Sequence, residues 1–194
     1  MYEERRSFWM FDCGEGTQHQ ILRSSLKLSK LEKIFITHLH GDHIFGLPGL
    51  LSSRSNQGGT TPLQLYGPPG IKKYIDPSLP LSQSRIEFEL EVNEHTGGVI
   101  FEDGEVRVES RLLEHRIDSY GYRIMEKDKP GSLDLKRMAE YGLKPGPIYG
   151  RLKRGESIDL EDGRVLTPAD VLGAPKKGRV VTILGDTRPC ANVL

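Results

Sequence analysis

Two cysteines, one tryptophan and a formal net charge of zero leave composition with little to say about these 194 residues beyond what it excludes. Cys13 and Cys190 are too few and too far apart in sequence for a disulfide framework, which suits free thiols in a reducing cytoplasm. Lys plus Arg (27) balances Asp plus Glu (27), so overall charge selects no partner, and a nucleic-acid site must come from local clustering. No run of about 18 apolar residues is present, which excludes a membrane-spanning helix. The first six residues, MYEERR, lack an apolar stretch, so no secretory signal is expected. What remains is 36% hydrophobic and 28% charged, the balance of an ordinary globular domain long enough to bury a core.

Along the chain, Phe8-Trp9-Met10-Phe11 is a short apolar strand closed by the turn Asp12-Cys13-Gly14-Glu15-Gly16. Apolar spacing predicts a helix over 17–28. Ile34-Phe35-Ile36-Thr37 is a buried strand, 44–55 is helical with Pro48 opening a new helix, and 63–66 is a strand. A short helix begins at 70–75. From 86 onward the pattern alternates, and 86–92, 99–102, 106–113 and 120–125 read as antiparallel strands. Residues 126–177 break that register with Lys, Gly and Pro and read as an inserted excursion, after which 179–184 returns as a buried strand. Strands near both termini read as ends cut from something longer. Helices alternating with strands predict an α/β layered fold with helices outside mixed sheets.

Four candidate strands end in metal-competent side chains: Asp12, His38 with His40, His115, and Asp186. Ligands gather at the carboxyl ends of strands in open α/β sheets. His38 and His40 are two apart, so in extended chain both rings point one way and can hold one metal. Gly41 lets the backbone turn and brings Asp42 and His43 to a neighbouring position for a second. Neutral imidazole with carboxylate suits Zn²⁺, and two ions about 3.5–4 Å apart can hold a hydroxide and clamp a phosphate. Four such residues within six positions outweigh the blander reading of surface or core imidazoles. His115 and Asp186 alone are a strand-end histidine and a turn residue; each gains weight because the block needs further ligands. His19, His95, Cys13 and Cys190 read as structural.

Thr37-His38-Leu39-His40-Gly41-Asp42-His43 resembles the HxHxDH signature of metallo-β-lactamase-fold hydrolases, whose αββα sandwich would be present here in part. Phe11-Asp12-Cys13-Gly14-Glu15-Gly16-Thr17-Gln18, Gly46-Leu47-Pro48-Gly49-Leu50-Leu51, Tyr66-Gly67-Pro68, Tyr120-Gly121-Tyr122-Arg123 and Gly185-Asp186-Thr187-Arg188 narrow the resemblance to the ribonuclease Z family, in its short bacterial form. The resemblance implies that His38, His40 and His115 hold a first zinc, that Asp42 and His43 hold a second, and that Asp186 bridges them. It implies that Asp12 orients a ligand and that Asp42 acts in catalysis. It further implies a homodimer that removes the 3′ trailer from precursor tRNA by phosphodiester hydrolysis, leaving a 3′-hydroxyl. Two family histidines beyond Asp186 have no counterpart, since no histidine follows His115.

Between 127 and 154, eight basic residues (Lys127, Lys129, Lys136, Arg137, Lys144, Arg151, Lys153, Arg154) face three acidic ones (Asp128, Asp134, Glu140), a local excess of +5. Such a Gly/Pro-rich stretch is a good binder of phosphate backbone and a poor core former. The family's protruding arm carries a glycine-proline motif, and Pro145-Gly146-Pro147 sits where it would be. Lys144, Gly146, Pro147, Lys153 and Arg154 are therefore expected to touch the tRNA. The domain organisation expected is a first part of the core over 1–125, the arm over 126–178 and a return to the core over 179–194. The rival readings are a lactonase or thioesterase on the same fold, which needs no basic arm, and an inactive RNA-binding fragment.

Overall fold

In the computed structural model of the chain, which describes residues 7–193, three short strands are largely apolar on both faces: β1 (Phe8–Phe11), β2 (Leu31–Phe35) and β3 (Leu63–Gly67). Strands of that composition need cover on two sides and favour parallel pairing. They pair parallel, Phe11 against Phe35 and Ile34 against Leu65, and β4 (Leu90–Glu94) joins β3 with Val92 against Leu65. Parallel neighbours require crossovers. These are α1 (Thr17–Leu22) with a 3₁₀ turn, then α2 (Gly41–Ile44) and α3 (Leu47–Asn56), then α4 (Ile71–Leu81). The reading of the first six residues lies outside the described ones.

One face of this sheet is covered by helices. Leu47, Leu50 and Leu51 of α3 and Ile71 and Ile75 of α4 are buried in one cluster with Ile34, Ile36, Leu63 and Leu65. Each side chain of that kind contributes about 1.5–3 kcal/mol when fully buried. Ile71, Ile75 and Leu79, four apart, hold α4 on this face, although Pro77 and Pro80 lie inside it and each removes a backbone donor. The other face is aromatic. Trp9, Phe11, Phe35 and Tyr66 meet Phe101 of β5 (Gly98–Glu102) and Tyr122 of β7 (Ser119–Glu126), with Trp9–Phe101 centroids at 5.8 Å and Phe35–Tyr122 at 5.4 Å. Between these strands β6 (Val106–Leu113) buries Val106, Val108 and Ser110 in alternation.

The chain divides into two compact units, one of them formed by 104–106 with 125–180. This smaller unit contains α5 (Leu135–Glu140), α6 (Pro147–Lys153), a hairpin of β8 (Ile158–Asp159) and β9 (Val165–Leu166), and α7 (Pro168–Val171). Met138, Leu152, Ile158, Leu166 and Val171 make a core of its own. The expectation of a poor core former is thereby corrected: each short element contributes one or two apolar side chains, too widely spaced to register as a run. Asp134 caps α5, accepting from the Lys136 and Arg137 amides, and Thr167 with Asp170 forms a capping box on α7.

β10 (Val180–Ile183) completes a second four-stranded sheet, in the order β10-β7-β6-β5. Its apolar run predicts burial; as a terminal strand of that sheet it instead leaves Val180, Val181 and Thr182 exposed. Two further expectations change. The helix begun at Thr17 stops at Leu22. The stretch 86–92 is not an antiparallel strand: β4 begins at Leu90 and runs parallel to β3, because α4 has returned the chain to the same end of the sheet. Phe88, whose alternation suggests a strand, packs 4.2 Å from the buried Arg54 guanidinium.

Candidate metal centre

β2 ends at Phe35, and the chain runs on outside any helix or strand to His40, the extended residue before α2. This run points His38 and His40 to one side, and the single turn of α2 swings Asp42 and His43 round. His115 follows β6, Asp186 follows β10 and Asp12 follows β1, so each group stands beyond the carboxyl end of a strand. Two clusters of donor atoms result, His38 with His40 and His115, and His38 with His43 and Asp186.

The spacing within the first cluster suits a shared ion. His40 Nδ1 lies 3.1 Å from His38 Nε2 and 3.2 Å from His115 Nε2. Ring nitrogens held about 2.0–2.1 Å from one tetrahedral ion stand about 3.3 Å from each other, so these three fit a common cation.

Proton positions lead to the same place. Asp12 Oδ2 accepts from the Thr37 hydroxyl at 2.9 Å and from His43 Nδ1 at 2.8 Å, while Oδ1 accepts from the Thr37 amide at 2.7 Å. The Thr37 hydroxyl has one proton and gives it to the carboxylate, so at 3.0 Å it accepts from His38 Nδ1. Both His38 and His43 are thereby left with the lone pair on Nε2. Those lone pairs face carboxylate oxygens: His43 Nε2 is 3.6 Å from Asp42 Oδ2 and 3.7 Å from Asp186 Oδ1, and His38 Nε2 is 4.0 Å from Asp186 Oδ2. Acceptors turned toward acceptors, too far apart to share a proton, suit a cation between them. Burial and the neighbouring His43 push the fully buried His38 ring below its ordinary pKa, which favours its neutral form.

Of the residues anticipated from sequence, His38, His40, His115, His43 and Asp186 are brought together, with one Asp186 oxygen toward His38 and the other toward His43. Asp42 lies at the margin, outside both donor clusters and 71% exposed at its side chain. Asp12 stands behind the rings. Lys144, Gly146, Pro147, Lys153 and Arg154 are all exposed, at the start, end and immediate flanks of α6. Arg154 and Arg151 both bind the Glu156 carboxylate, which lies just past the stretch whose charge excess is +5. Sequence reasoning names Thr37 without a role; its neighbours Asp12 and His38 are the signal that could have assigned one. Gly14 is also passed over: a Cβ there would lie 2.1 Å from the Asp42 carbonyl oxygen. Cys13 is buried, its thiol pushed up to about 12 by desolvation, so it is an inert core residue.

A family model described as Anti-Pycsar protein Apyc1 matches residues 1–103. Among curated proteins, one named Ribonuclease Z from Bacillus licheniformis is 55% identical over 193 residues, covering 100% of this chain and 63% of its own length. Another of that name from Bacillus cereus is 57% identical over 191 residues, covering 98% and 62%. The chain therefore spans less than two thirds of these relatives. Among solved structures, human tRNase Z, short form, superposes with a TM-score of 0.59 at 39% identity, over 62% of this chain and 54% of that one. A long-form RNase Z from yeast gives 0.50 at 18% identity, over 63% and 23%, which speaks to fold alone. With helices on one face of paired sheets and its histidines beyond the strand ends, the chain has the metallo-β-lactamase fold and belongs to the family described as Anti-Pycsar protein Apyc1, with relatives named Ribonuclease Z matching along its whole length.

Proposed function

We propose that this chain carries the catalytic centre of a zinc-dependent endoribonuclease that removes the 3′ trailer from precursor tRNA, leaving a 3′-hydroxyl on the tRNA. The observation that carries the reading is the convergence of Nε2 lone pairs and carboxylate oxygens around His38, His43 and Asp186, beside three imidazole nitrogens spaced for one ion. Whole-chain identity to proteins named Ribonuclease Z selects this substrate over lactones or thioesters. The Apyc1 match ends at residue 103, before the smaller unit and before His115 and Asp186, and so bears on the His38–His43 block only.

Imidazole and carboxylate donors suit zinc. His38, His40 and His115 would hold one ion, His43 and Asp42 the other, and Asp186 would reach both. The pair supplies, when bound, positive charge that acidifies a water and offsets charge growing on the phosphate oxygens. Asp12 fixes the His43 ring directly and the His38 ring through the Thr37 hydroxyl, so both present lone pairs inward. Asp42, whose carboxylate is mostly in solvent, would take the proton of the attacking water. Lys144, Gly146, Pro147, Lys153 and Arg154 would meet the tRNA backbone. A homodimer in the cytoplasm completes the reading; among the described residues, no helix is long and apolar enough to cross a membrane.

Asp186→Ala tests it. Cleavage of precursor tRNA should fall by about a thousand-fold or more, the equivalent of losing several kcal/mol of charge stabilisation, while tRNA affinity stays nearly unchanged because it rests on phosphate contacts elsewhere. Cleavage that survives the substitution sinks the assignment of Asp186. Hydrolysis of a lactone or thioester with none of precursor tRNA, by the unsubstituted protein, sinks the substrate.

A further inference from the structure

Tyr120-Gly121-Tyr122-Arg123 stands outside the chemistry above, yet it reaches the segment that carries the ligands. Tyr122 is fully buried on β7, and its hydroxyl donates to the Ile36 carbonyl at 2.5 Å, two residues before His38. The next carbonyl, that of Thr37, accepts from the Tyr120 amide at 2.9 Å. β7 therefore holds two consecutive carbonyls of the run that presents His38 and His40. The hydroxyl has one proton, already given to Ile36, so toward His95 Nε2 at 3.0 Å it accepts. His95 thus carries its proton on Nε2, and its Nδ1 is buried with no hydrogen-bond partner. Burial pulls this imidazole down to about 4, so it stays neutral at ordinary pH.

A phenylalanine facing a leucine would fill the same space without burying a hydroxyl and an imidazole, polar groups that are costly to bury when their hydrogen bonds are incomplete. Packing alone does not call for this pair. We propose that Tyr122, with its hydroxyl oriented by His95, is a positioning residue for the metal centre: it pins the Ile36 carbonyl so that the backbone of Thr37 and His38 aims His38 Nε2 at His40 and His115. Sub-ångström placement matters there, because the three nitrogens must share one ion. The inference rests on the metal reading of that cluster.

The test is Zn²⁺ affinity, measured by competition with a chromophoric chelator on the chain well below its melting temperature. Tyr122→Phe keeps the ring and removes only the hydroxyl; it should weaken zinc binding by about ten-fold or more, the effect of losing a group that orients a ligand. His95→Leu should do the same, and His95→Gln, which can still donate, should restore affinity toward that of the unsubstituted chain. Leu79→Ala on α4 is the control for reduced stability and should leave zinc affinity unchanged. If the unsubstituted chain takes up no zinc, the metal reading and this inference fall together. If it binds zinc and Tyr122→Phe binds equally well, or Leu79→Ala loses as much, the positioning role alone is overturned.

Discussion

Asp12 adopts a left-handed backbone with φ 58, a conformation that costs an L residue about 1 kcal/mol and that aspartate tolerates better than most. The return is a carboxylate aimed at the Thr37 amide, the Thr37 hydroxyl and His43 Nδ1 at once. The turn that follows is stitched to α2 by backbone bonds, Cys13 N to His43 O at 2.7 Å and Gly46 N to Cys13 O at 2.9 Å. Gly14 makes that approach possible. Gly14→Ala would drive a methyl to 2.1 Å from the Asp42 carbonyl oxygen, and a backbone neighbour cannot swing aside as a side chain can. We expect Gly14→Ala to displace α2 and to lower zinc bound per chain to well under half, read by elemental analysis after dialysis, with the circular dichroism of a folded protein. Gly16→Ala is the contrast. Gly16 has φ 82 with open space around it, so alanine there should cost about 1 kcal/mol of stability and leave zinc in place. Equal zinc loss in both variants would show that the turn's conformation matters, not its approach to Asp42.

At the scale of elements, what is legible in the sequence is what lies close together in the chain. The His38–His43 block, the apolar strands ending before it and Pro48 opening α3 are all local patterns, and local patterns carry hydrophobic period and ligand spacing. β4 escapes such a reading because alternation over 86–92 reports a covered face but says nothing of which neighbour covers it. The Tyr122 bonds to Ile36 and His95 cross 86 and 27 positions, invisible to any window. The clasp where β7 ends is of this kind too. The Glu126 amide donates to the Arg179 carbonyl at 2.9 Å, the Arg179 amide donates to Glu126 Oε2 at 3.1 Å, and the Arg179 guanidinium donates to both carboxylate oxygens, at 2.9 and 2.6 Å. Those hydrogen bonds lower the Glu126 pKa to about 2 from an ordinary 4.5. A depressed folded-state pKa means that the clasp stabilises fully above the ordinary value and is lost as pH falls toward 2. Urea denaturation of the unsubstituted chain and of Glu126→Gln should therefore differ most at pH 6, converge below pH 4.5 and coincide near pH 2. A gap that stays constant down to pH 2 would assign the difference to packing.

For the molecule as a whole, balanced charge hides an uneven distribution. Residues 125–180 hold twelve lysines and arginines against nine aspartates and glutamates, so the remainder of the chain is net acidic. Binding of a polyanion is therefore expected to load on the smaller unit, and within it on cations not already matched. Arg151 and Arg154 are both engaged by Glu156, and Arg164 by Asp162. Lys144 and Lys153 are exposed and form no ion pair with a carboxylate among the described residues. Replacing both by alanine should weaken precursor tRNA binding and flatten the log–log salt dependence by about 1 for each phosphate no longer neutralised. Arg154→Ala should do less, since its charge is largely answered by Glu156 before any tRNA arrives. Hydrolysis of a small phosphodiester should not change, because His38, His40, His43, His115 and Asp186 all belong to the other unit. Salt titrations of binding, beside rates on both substrates, read all three expectations. Equal losses on the small and the large substrate would mean that the lysines support the metal centre's fold. An unchanged salt slope would mean that the tRNA is held by other residues.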